Sequence, residues 1–149
     1  MRRFVCLLAG VLLVMPTLGS DTLREYDGEA VWDDGLQGTW QFVEGRSSGE
    51  IKILVPGGPV VRTFRRGRWE YRLNGELESE GVYATDTSRN PAYLDETTMA
   101  EGQAAGKTRK LLYRIDGDTL RTAISSDGSE RPDRFDESLY IVTWKRVKK

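Results

Sequence analysis

The sequence contains one segment that combines a glycine with two large aromatic residues at alternate positions, Leu36-Gln37-Gly38-Thr39-Trp40-Gln41-Phe42-Val43. Successive side chains of a β-strand point to opposite faces, so Trp40 and Phe42 share one face while Gln41 lies on the other. An aromatic face of this size has to be buried against a closed or covered sheet. The segment therefore predicts the first strand of a small β-barrel.

The chain beyond this segment has the composition of further short strands. Residues 68–73 alternate cleanly, with Trp69, Tyr71 and Leu73 on one face and charged side chains on the other. Turn residues separate the strands, and no strong helical pattern interrupts them. We therefore predict an all-β fold, an eight-stranded antiparallel up-and-down barrel. Its strands are expected at residues 36–43, 60–66, 68–73, 76–83, 92–98, 108–115, 119–124 and 139–147.

One hairpin contains Asn74-Gly75, which is typical of a two-residue type I′ turn. With that turn, Tyr71 would lie opposite Glu78, and glutamates would share the aromatic face of the sheet. A three-residue loop with a bulge at the glycine instead pairs Tyr71 with Leu77. We therefore expect the bulged loop, with the glutamates of the next strand facing water.

A second hairpin surrounds Asp116-Gly117. Here a two-residue loop satisfies both the turn chemistry and the alternation of side chains, because it pairs Tyr113 with Leu120 on one face. The pairing of all strands then predicts which side chains point into the barrel. These are Trp40, Phe42, Trp69, Tyr71, Leu77, Tyr83, Leu111, Tyr113, Leu120 and Ile124.

The first 20 residues have the pattern of a secretory signal. Arg2 and Arg3 precede an uncharged apolar run that ends at Leu18 and is short for a membrane span. Small residues near its end favour cleavage after Gly19 or Ser20, and an uncleaved anchor is the alternative. We expect a secreted or periplasmic protein with no stable membrane span after cleavage.

The rest of the chain divides into a leader and one domain. Residues 21–35 are acidic, and we expect them to form a short helical or irregular leader that ends in the turn Asp33-Asp34-Gly35. Residues 36–149 are expected to form the barrel domain. One domain is the ordinary expectation for a chain of 149 residues.

Composition argues against several functional classes. The chain has no histidine, and its single cysteine, Cys6, lies in the signal. The usual general base near neutral pH, the commonest transition-metal ligand and a reactive thiol are therefore missing from the mature chain. Asp95 and Glu96 are carboxylates of the kind that glycosidic chemistry needs, but the sequence does not place them across a cleft. We expect a protein that is not an enzyme and has no metal or cofactor.

Charge gives no support to a nucleic-acid partner. Without the two arginines of the signal, 20 basic residues remain against 23 acidic ones, a net charge of about −3. One run of arginines does alternate with aromatic residues, a composition that single-stranded nucleic acid or anionic glycans use. The glutamates predicted on the partner strand favour a solvated, salt-bridged face instead. The run consists of Arg62, Arg65, Arg66, Arg68 and Arg72.

The pattern Gly38-x-Trp40 resembles the lipocalin signature. Together with three more segments, it makes the chain similar, over about residues 33–149, to a family of secreted lipocalin-like domains abundant in planctomycete bacteria. That resemblance implies an eight-stranded barrel and no settled biochemical function. The segments are Leu36-Gln37-Gly38-Thr39-Trp40, Tyr113-Arg114-Ile115-Asp116-Gly117-Asp118-Thr119-Leu120, Arg131-Pro132 and Lys145-Arg146-Val147-Lys148.

Classical lipocalins carry small apolar ligands in the barrel and place an arginine of the last strand over the tryptophan. The resemblance assigns that place to Arg146, with Lys145 as the alternative, so that Gly38, Trp40 and Arg146 close one end of the barrel. Gly38 has no side chain and allows the leader to pack close to the ring. The chain departs from the classical pattern after Ile115, where Asp-Gly-Asp stands in place of Thr-Asp-Tyr.

The function expected from these features is the binding of a small, mainly apolar ligand by a monomer. An eight-stranded barrel is wide enough either to hold one small ligand or to be filled by side chains. The alternative is therefore a packed barrel that serves as an interaction module of the cell envelope and binds a protein partner. The residues expected to contact a ligand are Phe42, Trp69, Tyr71, Tyr83, Tyr113 and Leu120.

Overall fold

A computed structural model of the chain describes residues 32–52, 58–99, 106–126, 128–136 and 138–148. The predicted signal and most of the predicted leader lie outside the described residues. Within the described ranges there is no helix long and apolar enough to cross a membrane. These ranges contain nine strands: β1 Gly38–Ser47, β2 Glu50–Lys52, β3 Val60–Arg65, β4 Arg68–Leu73, β5 Glu76–Asp86, β6 Ala92–Thr98, β7 Thr108–Asp116, β8 Thr119–Ile124 and β9 Tyr140–Arg146.

Eight of these strands form a closed antiparallel barrel. From β3 to β9 each strand pairs with the next one along the chain, and β1 pairs with β3 on one side and β9 on the other. The short strand β2 pairs only with the last residues of β1. The predicted eight-stranded antiparallel up-and-down barrel is therefore confirmed, with β2 as an addition to it.

Alternation along the strands gives the barrel an aromatic interior. Trp40 has no exposed surface, and Phe42 packs edge to face against Trp144 with the ring centroids 5.8 Å apart. Gly81 on β5 allows a close approach, because a β-carbon there would lie 2.0 Å from the backbone oxygen of Thr97 and 2.8 Å from the Trp69 indole nitrogen. The main buried cluster consists of Leu36, Trp40, Val60, Phe64, Trp69, Tyr83, Leu94, Leu111, Tyr113, Leu120, Val142 and Trp144.

The turn between β4 and β5 differs from the prediction. Asn74 and Gly75 have positive φ angles of 53° and 85°, as a two-residue type I′ turn requires. Between Arg72 and Tyr71 the register of the two strands shifts by one residue, so that Tyr71 lies opposite Ser79. Leu77 precedes that shift and points outward, with 46% of its surface exposed. The predicted three-residue loop and the inward Leu77 are wrong, because a bulge inside the strands restores the aromatic face.

The turn between β7 and β8 has the predicted length and a different register. Its two loop residues are Gly117 and Asp118, so Tyr113 lies opposite Thr122 and not opposite Leu120. The difference amounts to two residues in register, and a shift by two leaves each side chain on the same face. Tyr113 and Leu120 are therefore both buried, as predicted, although they are not partners.

The link between β8 and β9 packs on the outside of the barrel. Arg131 lies over the Tyr93 ring, 4.2 Å from its centroid, and it forms an ion pair with Asp95. Its Nη1 also donates a hydrogen bond to the backbone oxygen of Leu111 at 2.7 Å. Apolar residues of the link cover a second cluster on the outer face, which consists of Leu112, Ala123, Ile141, Tyr93, Phe135 and Leu139.

The two ends of the barrel differ in how they are covered. Where β1 begins and β9 finishes, a turn over residues 33–36 lies across the interior and buries Leu36 completely. We call this the closed end. At the opposite end, β1 finishes and β9 begins at Tyr140, which is only half-buried. We call this half of the barrel the open half.

Candidate functional site

A cavity of about 280 Å³ lies inside the open half of the barrel. Small-molecule pockets commonly have volumes of ~300–1,000 Å³, so this cavity suits only a small ligand. Strands β1, β7, β8 and β9 supply most of its apolar wall, because their inward positions in this half carry aliphatic or aromatic residues. Its lining consists of Phe42, Arg62, Tyr71, Ser79, Arg109, Leu111, Thr122, Ile124, Tyr140, Val142 and Trp144.

Two arginines of the cavity wall, Arg62 on β3 and Arg109 on β7, both contact Glu96 on β6, which does not itself line the cavity. We call these three side chains the interior charge cluster. Arg62 is 5% exposed and Glu96 is fully buried. Nη2 of Arg62 lies 2.5 Å from Oε2 of Glu96, and Nη2 of Arg109 donates to the same oxygen at 3.1 Å. Two guanidinium groups share one carboxylate, so the cluster has a net positive charge.

Aromatic rings hold Arg62 in place inside the barrel. Its guanidinium carbon lies 5.2 Å from the Phe64 ring centroid, 5.1 Å from that of Trp69 and 5.9 Å from that of Trp144. The faces of these rings are electron-rich and attract a cation. Burial lowers the pKa of Arg62, while the neighbouring Glu96 carboxylate raises it. Since arginine ordinarily loses its proton only above pH ~12, Arg62 keeps its charge at neutral pH.

Part of the interior charge cluster lacks hydrogen-bond partners. Nε of Arg62 and Oε1 of Glu96 are buried and have no partner among the described residues. Buried polar groups in proteins are nearly always paired, so an unpaired donor beside a cavity calls for an explanation, and a bound anion would supply one. Guanidinium groups donate hydrogen bonds and accept none, which makes this wall suited to an anion. The described residues hold no group of three or more histidine, cysteine, aspartate or glutamate side chains that could bind a metal ion.

At the closed end, the side chains form a different arrangement around Trp40. The guanidinium carbon of Arg146 lies 4.0 Å from the Trp40 ring centroid, which is the contact that the sequence predicts. Arg146 also donates to the backbone oxygens of Gln37 at 2.7 Å and Gly35 at 2.6 Å. The Trp40 indole nitrogen donates to the backbone oxygen of Leu36 at 2.9 Å. The alternative, Lys145, is exposed on the outer face.

Gly38 and the turn after β7 complete the closed end. Gly38 has a φ angle of 121°, which other residues rarely adopt, and a β-carbon at this position would lie 3.1 Å from Nη1 of Arg146. Both the backbone conformation and the close approach of the arginine therefore favour glycine here. Asp118 accepts a backbone hydrogen bond from Arg146 at 2.8 Å. The Tyr113 hydroxyl donates to Asp33 at 2.8 Å. Burial raises the pKa of Tyr113 above its ordinary value, and the Asp33 carboxylate raises it further.

Of the six residues expected to contact a ligand, two line the cavity. Phe42 and Tyr71 belong to its wall. The other four are packed elsewhere in the main buried cluster, and they do not line this cavity. They are Trp69, Tyr83, Tyr113 and Leu120.

The sequence interpretation missed the interior charge cluster. Arg62 was grouped with the arginines of a solvated face, and for this residue the prediction is wrong. The detectable signal was the two-residue period of β3, because Arg62 lies two residues from both Val60 and Phe64 and therefore shares their inward face. Glu96 shares the inward face of β6 with Leu94 in the same way. The prediction of a solvated face is confirmed for Arg65, Arg66 and Arg68, which are exposed, and for Arg72, which pairs with Glu70 at 3.0 Å.

Comparisons of the chain with protein-family models, with curated proteins and with solved structures found no match. The fold by itself does not specify a function, because barrels of this kind serve many purposes. The function therefore has to be inferred from the cavity, the interior charge cluster and the closed end.

Proposed function

We propose that the chain is an exported, non-enzymatic lipocalin-like barrel that binds a small, mainly apolar molecule in its open half. The observation that carries the proposal is the cavity of about 280 Å³, whose wall includes Phe42, Leu111 and Trp144. Burial of apolar surface in a largely preformed pocket drives binding of this kind. The position of Arg146 over Trp40 supports the lipocalin-like assignment, because it matches the arrangement that the resemblance implies.

The positions of the carboxylates support binding without chemistry. Glu96 points into the barrel, whereas its neighbour Asp95 points outward and pairs with Arg131 on the outer face. Glycosidic chemistry needs two carboxylates that face one substrate, and these two face opposite sides of the sheet. Glu96 is also held between two arginines, which favours a structural or binding role.

Two variants on neighbouring residues of β5 test binding inside the barrel. Ser79 lines the cavity, so Ser79→Trp should fill it, whereas Glu80→Trp places the same side chain on the exposed outer face. Calorimetric titration with fatty acids, terpenoids and aromatic dyes should show saturable binding to the parent and to Glu80→Trp, and strongly reduced binding to Ser79→Trp. If no compound binds the parent, or if Ser79→Trp binds as well as Glu80→Trp, the cavity is not the site.

Export is tested separately, on the full-length chain expressed in a bacterium. The mass of the protein recovered from the periplasm or the medium should correspond to cleavage after Gly19 or Ser20. A full-length mass, or retention of the protein in the cytoplasm, would contradict export by a cleaved signal.

The alternative, an envelope interaction module, has one structural feature in its favour. Trp32 is 41% exposed and flanks a shallow groove at the closed end together with the exposed Arg65 and Arg66. Exposed aromatic and arginine side chains are frequent in protein interfaces. Pull-down from envelope extracts should compare the parent with a variant in which Arg65, Arg66 and Arg68 are changed to glutamate. Loss of a specific partner would support the module, and an unchanged set of partners would exclude this surface.

A further inference from the structure

We propose that the ligand is an amphipathic anion, with an apolar body and a single carboxylate group that binds the interior charge cluster. The inference rests on the proposed function and specifies the chemistry of the molecule that the cavity takes.

The first step is the charge of the cavity wall. Arg62 and Arg109 share one oxygen of Glu96, and the three side chains together carry one excess positive charge. Arg62 and Glu96 lie almost completely out of water. The Arg109 side chain is 46% exposed and water screens its charge in part, whereas the charge on the buried Arg62 is poorly screened and attracts an anion more strongly than a surface arginine does.

The second step is the hydrogen-bonding capacity that the protein leaves unused. Nε of Arg62 is a buried donor without a partner among the described residues. The Arg109 side chain is 46% exposed, so it reaches from the interior charge cluster toward the mouth of the cavity, and it contacts Glu96 through Nη2. Guanidinium groups bind carboxylates through short, charge-assisted hydrogen bonds. A carboxylate beside these two arginines would therefore find donors already oriented and held by aromatic rings.

The third step is the division of the cavity wall into two parts. The aliphatic and aromatic side chains Phe42, Leu111, Ile124 and Val142 line the same cavity as the two arginines. The apolar body of a ligand can pack against the aliphatic and aromatic side chains while its charged group contacts the arginines. The volume of about 280 Å³ leaves room for a small body only. A short fatty acid or a small aromatic acid has these properties.

A cationic ligand fits this wall less well. Oε1 of Glu96 lacks a partner among the described residues, but Glu96 is fully buried and does not line the cavity. A protonated amine in the cavity would face the two guanidinium groups of the wall and one carboxylate behind them, where like charges outnumber the opposite one. Amines and alcohols with the same carbon chain as the acid are therefore the informative comparison.

The test is calorimetric titration of the mature chain at pH 7 with hexanoate, octanoate and decanoate and with the alcohol and amine of each length. We expect at least one acid to bind about tenfold or more tightly than its alcohol, because a hydrogen bond to a charged group is worth that much. Arg109→Gln should remove this preference for the acid while the alcohol still binds. Arg109→Lys should restore part of it, and the exposed control Arg68→Gln should leave it unchanged.

The outcomes separate this inference from the proposed function. If alcohols or amines bind as tightly as the acids, or if Arg109→Gln keeps the preference for the acid, the cavity binds a ligand but the inference is wrong. If neither this series nor the wider panel binds at all, the proposed function itself fails. A circular-dichroism melt of each variant shows whether it is folded. If Arg109→Gln does not fold, the preference for the acid is measured on Arg109→Lys instead.

Discussion

The closed end and the open half of the barrel each place an arginine against tryptophan, but they use its hydrogen-bond donors differently. At the closed end, Arg146 lies over Trp40 and donates to two backbone oxygens. In the open half, Arg62 lies 5.1 Å from the Trp69 ring centroid, and its Nε has no partner among the described residues. A completed hydrogen-bond network fixes structure, whereas buried donors left unpaired beside a cavity are ready for a ligand. We interpret the first arginine as structural and the second as part of a binding site.

The largest effect is expected from Trp40→Ala at the closed end. Removing this fully buried ring leaves a cavity and also deletes the hydrogen bond to Leu36. The free energy of unfolding should fall by about 3–5 kcal/mol, the usual range for emptying a buried aromatic site. Urea denaturation measures this loss, with Trp32→Ala as the control because Trp32 is 41% exposed. Equal losses for the two variants would mean that Trp40 does not organise the closed end.

In the open half, Arg62→Met should cost about 3 kcal/mol, because it leaves the buried Glu96 with Arg109 as its one remaining ion-pair partner among the described residues. Replacing Glu96 as well, in Arg62→Met/Glu96→Leu, should recover most of that loss, since no unpaired buried charge remains. Thermal and urea denaturation of both variants checks this. A double variant no more stable than Arg62→Met would show that the loss comes from the missing ion pair and not from an unpaired buried charge, and the contrast between the two arginines would be lost.

The contact between Arg146 and Trp40 should contribute less to the free energy of unfolding than the buried Trp40 ring or the buried Arg62 side chain does. A cation over an indole ring contributes about 0.5–2 kcal/mol. Arg146→Ala should therefore destabilise the protein by less than Trp40→Ala does, and the losses should not add in the double variant because the two residues share one contact. Urea denaturation of both single variants and the double variant gives the coupling energy. Additive losses would place the arginine's contribution in its bonds to Gln37 and Gly35 and in its ion pair with Asp118.

The smallest effect concerns Tyr113, whose hydroxyl donates to Asp33 at the closed end. Tyr113→Phe should cost about 1.5 kcal/mol at pH 7, the low end for a hydrogen bond to a charged group, because the bond is only partly buried. Burial raises the pKa of Tyr113 above its ordinary value of 10.0. The unfolded chain therefore loses this proton near pH 10 while the folded one keeps it, so the parent loses stability above pH 10.

The pH dependence distinguishes this residue from other causes of alkaline unfolding. The variant lacks the titrating hydroxyl, so the difference in stability between parent and variant should shrink as the pH rises above 10. Urea denaturation of both proteins between pH 7 and pH 11 measures the difference. A difference that stays constant with pH would mean that the Tyr113 hydroxyl is not shielded from water in the folded protein.

The hairpins show where local patterns predicted the fold and where they did not. At Asn74-Gly75, the turn residues indicated a two-residue loop and the alternation of aromatic residues indicated a longer one. The turn residues were correct about the loop, and the alternation was correct about the aromatic face but wrong about the loop length, because a bulge beside Tyr71 shifts the register after the turn. A bulge has no short sequence signature, so its position is decided by packing across strands. The later hairpin around Gly117 differs by two residues, which the alternation cannot detect.

The candidate site shows the same limit more strongly. Phe42 and Tyr71 were expected to face a ligand, and both line the cavity. Trp69 and Tyr113 are also inward and aromatic, yet they lie in the packed part of the core. Alternation determines whether a side chain points inward. It does not determine how far along the barrel the interior is filled.

The sequence by itself determined the strand pattern and the aromatic face of Trp40 and Phe42, because both depend on local periodicity. The resemblance implied the contact of Arg146 with Trp40 and left Lys145 as the alternative, and the structure decided between them. The tertiary structure alone decided that Arg62, Glu96 and Arg109 meet inside the barrel. Glu96 and Arg109 are cross-strand partners on the neighbouring strands β6 and β7. Arg62 comes from β3, which is separated from β6 by two strands and reaches Glu96 across the interior only after the barrel closes. Charge on an isolated strand favours an outward position, and only the shared carboxylate and the surrounding rings make the inward one stable.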